Sequence, residues 1–250
     1  MDNRVLYLGD TNLETAASYL AGIMSYCGIG FDYLPSDAKF EDSLLNKDYK
    51  AMIISDYPAV NFSESQIHKI ADKVKNGMGL LMIGGWGSFS GLGGGYNNTL
   101  FAEILPVKMS KGDDRINTYS VCVVENNAVH EIVQSLPFEG NPPTIAGYNL
   151  LDAKKSSQTI LSVKRFSISK TGGEFYFNCK DIAPLLVVDS FGRGKVAAFA
   201  SDVAPHWTGG LVDWGDKRMA VKAKGAGQVE IGNWYLSLFG NMINWVMNKN

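Results

Sequence analysis

Apolar residues follow two rhythms along the first hundred positions. Short unbroken runs occur at Arg4–Gly9 (RVLYLG), residues 51–56 (AMIISD) and Gly79–Ile83 (GLLMI), with a shorter one at Gly30–Leu34 closed by Pro35. Between them apolar residues recur every three or four positions. The runs predict buried strands and the spaced stretches predict amphipathic helices. Thr11-Asn12-Leu13-Glu14 reads as a capping box, with Thr11 as N-cap and Glu14 reaching back. Leu13, Ala16, Ala17, Leu20, Ile23 and Cys27 then mark a buried face, and Gly28 closes the helix. A brief helix is predicted over 39–46. Ser63-Glu64-Ser65-Gln66 is a second capping box, followed by Ile67, Ile70, Ala71 and Val74 and capped by Gly77. Strands and helices that alternate in this way, with apolar strands throughout, predict a parallel sheet covered on both faces.

The middle of the chain changes rhythm. From Pro106 to about Asp181 β-branched runs and turns dominate, at 119–124, 158–163 and 174–177, the last after Thr171-Gly172-Gly173. A short helix is predicted at 128–135. No linker-like composition brackets this part, so 106–181 reads as a β-rich excursion within one domain spanning 1–250. Residues 184–189 (PLLVVD) and 195–200 (KVAAFA) flank a glycine turn and predict a hairpin. A polar, glycine-rich stretch covers 201–228. The last helix is predicted at 230–247, with Ile231, Trp234, Leu238, Met242 and Trp245 on its apolar face.

Charge narrows the partners. Lys and Arg number 23 against 25 Asp and Glu, with no basic block, so nucleic acid is not expected. The N-terminus leads straight into a strand-like run, and no stretch approaches the roughly 20 apolar residues of a spanning helix, so neither a signal peptide nor a membrane partner is expected. Cys27, Cys122 and Cys179 are odd in number and widely spaced, which fits a reducing compartment. No CxxC or HExxH occurs, and His68, His130 and His206 are far apart, so no metal or cofactor is predicted.

Two loops carry the candidate chemistry. Gly84-Gly85-Trp86-Gly87-Ser88-Phe89-Ser90-Gly91 follows the fourth strand, and a glycine turn at such a strand end is where open α/β sheets bind ligands. Its GxGxxxG is close to a dinucleotide fingerprint, but that fingerprint follows a first strand, and no GK[ST] occurs. Neither Ser88 nor Ser90 fits G-x-S-x-G, so both read as hydroxyls that bond loop backbone. Ligand-binding candidates here are Gly84, Gly85, Trp86, Gly87, Ser88 and Ser90; the alternative is a tight turn that passes close to a helix. The second loop is Ser201-Asp202-Val203-Ala204-Pro205-His206-Trp207. Asp202 and His206 are the catalytic candidates, as a carboxylate–imidazole pair. Trp207, Asp213 and Trp214 follow, and rings beside acids suit a polyol ligand. The alternative is a loop capped by Asp202 and pinned to the body by its tryptophans.

Three stretches carry a family resemblance: Gly79-Leu80-Leu81-Met82-Ile83-Gly84-Gly85-Trp86-Gly87, Asn127 through Pro137 (NAVHEIVQSLP), and Gly192 through Trp207 (GRGKVAAFASDVAPHW). On these the whole chain resembles the class I glutamine amidotransferase-like superfamily, within it the group close to the ThuA-like trehalose-utilisation proteins. The resemblance implies an α/β flavodoxin-like, doubly wound, mostly parallel sheet with additional strands from the mid-chain insertion, in a cytoplasmic protein. Amidotransferases of this kind carry G-C-x-G at the elbow, a histidine after a late strand and a glutamate two residues beyond. Here Gly85 stands at the cysteine position and Ser201-Asp202 at the late-strand position, with His206 a few residues on. Glutamine hydrolysis through a thioester is therefore not expected. The expected function is binding of a small polar ligand, carbohydrate-related in one version, at the strand C-termini. Two alternatives stay open: a hydrolase or isomerase using Asp202 and His206, with or without a metal, and an oligomeric interaction protein. A homo-oligomer is expected.

Overall fold

The computed structural model describes residues 4–249. Four strands and two helices open the chain: β1 (Arg4–Gly9), α1 (Ala17–Tyr26), β2 (Gly30–Leu34), β3 (Ala51–Ser55), α2 (Glu64–Lys75) and β4 (Gly79–Ile83). A one-turn helix α3 (Phe101–Ile104) and the short β5 (Val107–Lys108) lead into β6 (Arg115–Asn126), β7 (Thr144–Asn149), β8 (Asp152–Ala153), β9 (Gln158–Thr171) and β10 (Glu174–Phe191). Then come β11 (Gly194–Phe199), the one-turn α4 (Pro205–Thr208), β12 (Arg218–Lys222), β13 (Gln228–Gly232) and α5 (Asn233–Val246).

The main sheet has nine strands in the order β2-β1-β3-β4-β11-β10-β9-β6-β7. From β2 to β11 every neighbour pair is parallel. From β11 onward every pair is antiparallel. The α/β class and the mostly parallel core thus follow the expectation, and the β-rich excursion supplies the antiparallel flank. Every residue of β3 and β4 is buried, so both faces of those strands are covered. The capping box at Ser63 is present: Gln66 donates its backbone N–H to Ser63 Oγ and accepts the Ser63 N–H on its side chain.

Five local expectations are corrected. Thr11 is not an N-cap. Asp10 and Thr11 have φ of 53° and 63°, left-handed values incompatible with the extended cap conformation, and α1 starts only at Ala17. Residues 39–46 give only a 3-10 turn, Asp42–Asn46. Residues 128–135 form turns; His130 Nδ1 accepts the Ile132 N–H at 3.2 Å, a local bond that competes with helix. The runs at 174–177 and 184–189 are one strand, β10, whose register shifts beside Pro184 accommodate the proline. The polar stretch holds a strand, β12, and the last helix begins at Asn233 because Gln228–Gly232 pairs with it. In that segment Val229 and Ile231 alternate with exposed Gln228 and Glu230, a period of two and not of 3.6.

Candidate functional site

Three strand ends in the parallel half share a local sequence: an apolar residue, a small residue, then aspartate. They are Leu8-Gly9-Asp10 at β1, Ile54-Ser55-Asp56 at β3 and Ala200-Ser201-Asp202 at β11. Parallel pairing brings the C-termini of these strands side by side, with Gly9 opposite Ser55 and Ser55 opposite Ile83. Carboxylate oxygens of the three aspartates consequently lie within 4.8 Å of one another. Asp10 and Asp202 are buried, at 2% and 1% exposure.

Each carboxylate is held by its own donors. Asp10 accepts from the Tyr7 hydroxyl and, at 2.9 Å, from Ser55 Oγ. Asp56 Oδ1 accepts the Gly87 N–H at 2.6 Å. Asp202 Oδ1 accepts the Val203 and Ala204 N–H groups at 2.5 and 3.1 Å. The second oxygen, Asp202 Oδ2, is buried and has no hydrogen-bond donor. His206 Nε2 stands 3.2 Å from it without hydrogen-bond alignment, and the imidazole is more than half exposed.

Crowding and burial raise all three acids. Asp10 is pushed well above the usual carboxylate range by burial and then by the charges of Asp202 and Asp56. Asp56 is raised to about 7 by burial and by Asp202, against the Gly87 N–H and His206. Burial raises Asp202 to about 6, opposed by its two backbone donors. Among the described residues, the only basic side chain paired with any of the three is His206. Three such oxygen donors can share protons or hold a hard cation.

The glycine loop closes over this cluster. Gly85 has φ 142°, and a Cβ built there would lie 2.2 Å from Asp56 Oδ1. The space in which a side chain at position 85 would begin is filled by the Asp56 carboxylate. Asn149, at the end of β7, braces the loop from the far side. Its Oδ1 accepts the Gly85 N–H at 2.9 Å, and its Nδ2 donates to Asp114 Oδ1 at 2.7 Å. Asp114 Oδ2 in turn accepts the Ser90 N–H at 2.9 Å.

The sequence-predicted residues divide. Gly84 donates to the carbonyls of Phe199 and Ser201, tying the loop to β11. Ser88 Oγ accepts the Asp56 N–H, and Ser90 Oγ donates to the Ser110 carbonyl, so both hydroxyls bond loop backbone. Trp86 is half exposed, with the Arg115 guanidinium 4.3 Å from its ring centre. Asp202 and His206 stand together. Trp207 is buried and donates to Asn117 Oδ1, while Trp214 is buried against Phe138 and Trp234. Asp213 is exposed and pairs with Arg218. The structure therefore joins Gly84–Ser90 to Asp202 and His206, and turns both later tryptophans inward. Asp10, Asp56, Asn149, Asp114 and Arg115 were not among the predicted residues. The repeated small-residue-then-aspartate ending of three strands is the signal that finds the first two. A cavity of about 590 Å³ lies between the glycine loop and the start of α2, lined by Val60, Phe62, Ile67 and Leu92 among others; none of the three aspartates reaches it.

Of the cysteines, Cys27 closes α1, Cys122 lies within β6, and Cys179 is exposed on β10. Burial pushes the Cys27 and Cys122 thiols up. None of the three belongs to the glycine loop or to the loop after β11.

A family model described as "Putative glutamine amidotransferase" matches residues 8–221. Two solved structures cover nearly the whole chain. One is a cytoplasmic protein of Salmonella typhimurium LT2, 28% identical with TM-score 0.74, covering 97% of this chain and 99% of that one. The other is a second cytoplasmic protein of Salmonella typhimurium, 27% identical with TM-score 0.73, covering 97% and 98%. A β-galactosidase from Bacillus circulans sp. alkalophilus, 11% identical with TM-score 0.50, shares the fold over 80% of this chain and 29% of its own. No curated protein sequence matches the chain. No helix among the described residues is long and apolar enough to cross a membrane.

Proposed function

The chain belongs to that glutamine amidotransferase-like family, and from this premise we propose that it binds a small polar ligand over the C-terminal ends of β1, β3, β4 and β11, without thiol chemistry. One observation carries the reading: the Asp56 carboxylate stands where a side chain at position 85 would begin. The elbow that presents a nucleophile in amidotransferases is here built around an acid. Asp202 and His206 form the proton-handling pair beside it, the exposed imidazole toward solvent and the buried carboxylate behind. Trp86, with Arg115 over one face, supplies the aromatic surface at the rim. Trp207 and Trp214 act through packing, which leaves Trp86 alone of the three to stack on a sugar-like ligand. A cytoplasmic setting is supported by the two Salmonella proteins that bear that description.

The test is a thermal-shift screen against sugars, sugar phosphates, hydroxy acids and amino acids, followed by His206→Ala and Trp86→Ala. A ligand that binds the folded state raises Tm by mass action. We expect a hit from the polyol or hydroxy-acid sets, weakened at least tenfold in both variants. Glutamine turnover above the buffer rate would sink the reading.

A second reading, a homo-oligomer, has its own observation. Beyond the body, β9 and β10 form a ribbon that exposes Phe175, Tyr176, Phe177 and Ile168. Such aromatics are what an interface core covers, and a second copy of the chain is the proposed partner.

A further inference from the structure

We infer that Asp10, Asp56 and Asp202 hold one hard divalent cation, of the Mg²⁺ or Mn²⁺ kind, at the ends of β1, β3 and β11. Oxygen ligands that lie about 2.1–2.4 Å from an ion stand at most about 4.2–4.8 Å from one another. One carboxylate oxygen from each aspartate lies within 4.8 Å of the others, the outer limit of such a shell, so a modest inward closing of the three side chains brings all of them onto a single ion. The donor set is oxygen, with no thiol among it, which selects hard cations over copper or iron–sulfur chemistry.

A separate observation points the same way. Asp202 Oδ2 is fully buried and accepts no hydrogen bond, His206 Nε2 standing 3.2 Å away out of alignment, although the other oxygen of the same side chain accepts two backbone N–H groups. A buried acceptor left without a partner is costly, and a buried charge more so. Two further acids press on it, and no lysine or arginine among the described residues pairs with any of the three. A cation satisfies the orphaned oxygen and the clustered charge at once. The surroundings are those of an oriented ligand set: Tyr7 and Ser55 hydroxyls donate to Asp10, and the Gly87 N–H donates to Asp56.

This inference rests on the reading that these strand ends are the ligand site, and it deepens that reading. The ligand class it selects is one that completes the ion's coordination with its own oxygens, a vicinal diol or a hydroxy acid, while His206 handles a proton at the same place. The fold family's thiol nucleophile has no part in it.

The test uses the full chain stripped with EDTA and dialysed. Tm is followed on addition of MgCl₂, MnCl₂ or CaCl₂, with KCl of matched ionic strength as control. Mn²⁺ binding is titrated separately by the loss of its free-ion EPR signal. We expect a rise of about 5–10 °C at a hundredfold excess over Kd, and one Mn²⁺ bound per chain. Asp10→Asn, Asp56→Asn and Asp202→Asn should each abolish the response. If Asp10→Asn fails to fold, Asp202→Asn decides, since an amide there keeps an oxygen for both backbone donors. No stabilisation beyond KCl, or a rise undiminished in Asp202→Asn, overturns the inference. The two readings fail differently. A metabolite shift that survives EDTA removes the cation alone, whereas a cation shift with no metabolite response leaves the metal and removes the proposed ligand.

Discussion

In the parallel half β1, β3, β4 and β11 are packed on both faces, with β2 at the more exposed edge, and the charge gathers at one end, where three aspartates converge. In the antiparallel half the outer ribbon of β9 and β10 carries its phenylalanines in solvent, Phe175 at 63% and Phe177 at 58% exposure. The two halves depart from the usual inside-outside sorting in opposite senses. One buries charge; the other exposes large apolar rings. Buried polar groups and exposed apolar patches are the informative exceptions in a folded protein. Under the proposed readings, a second copy of the chain covers the bare rings and a bound ligand offsets the cost of the buried acids. The comparison then sets the proposed ligand site in one half and the proposed assembly surface in the other.

The largest expected effect breaks the first half of that comparison. Gly85→Cys restores the residue type that amidotransferases carry at this elbow. Its Cβ would meet Asp56 Oδ1 at 2.2 Å, on a backbone with φ 142°. We expect a loss of about 3–5 kcal/mol in urea unfolding, typical of overpacking added to backbone strain, and no glutamine hydrolysis. Asp56→Ala in the same chain removes the clash but not the φ strain, so it should recover part of the loss. A stable Gly85→Cys protein that hydrolyses glutamine would show that the acid cluster had not displaced the thiol site.

The parallel half was also the more legible in sequence, for a physical reason. Its strands β1, β3 and β4 are buried on both faces and read as unbroken apolar runs, and Ser63 and Gln66 announced α2 through a local capping box. The site was half legible. The glycine loop, Asp202 and His206 stood out by type and position. Asp10 did not, because Thr11-Asn12-Leu13-Glu14 mimics a capping box that draws the helix start next to it, whereas Asp10 itself sits in the left-handed turn that precludes that cap. Asp56 looked like the last residue of a strand. Only parallel register, which is not local, brings the three together. In the antiparallel half Pro184 broke β10 into two apparent runs, because the register shifts that absorb it depend on β9.

The next effect is smaller and sharpens the account of the buried charge. Asp56 is raised to about 7 and Asp202 to about 6, from near 3.8. The folded state then holds protons that the unfolded chain releases. Stability attached to these groups is complete below about pH 4 and is lost as pH rises through 6 to 7. His206 faces both acids, and Tyr7 and Ser55 face Asp10. In EDTA, unfolding free energy should fall by about 4 kcal/mol from pH 5 to pH 8, the larger share from Asp56. Asp202→Asn should flatten that slope and stabilise the protein at pH 8 by about 1–3 kcal/mol. A flat profile for the wild-type chain in EDTA would mean that the acids are already compensated within the fold.

The smallest expected change in folding free energy belongs to the ribbon, and there the informative quantity is mass. Phe175 pairs with Lys170 across the ribbon and Phe177 with Ile168, so both rings lie on one face of β10. A two-stranded ribbon beyond the sheet has little to pack against in its own chain. Phe175→Ser with Phe177→Ser should therefore shift urea unfolding of the isolated chain by only about 0.5 kcal/mol, the range of exposed substitutions. If a second copy covers this face, light scattering should show the wild-type oligomer reduced to the mass of one chain in the variant. The Asp–cation response should be unchanged, because those residues belong to the other half. An unaltered mass in the double variant would leave the exposed rings without an assembly role. Loss of the cation response along with the mass would show that the two halves are coupled.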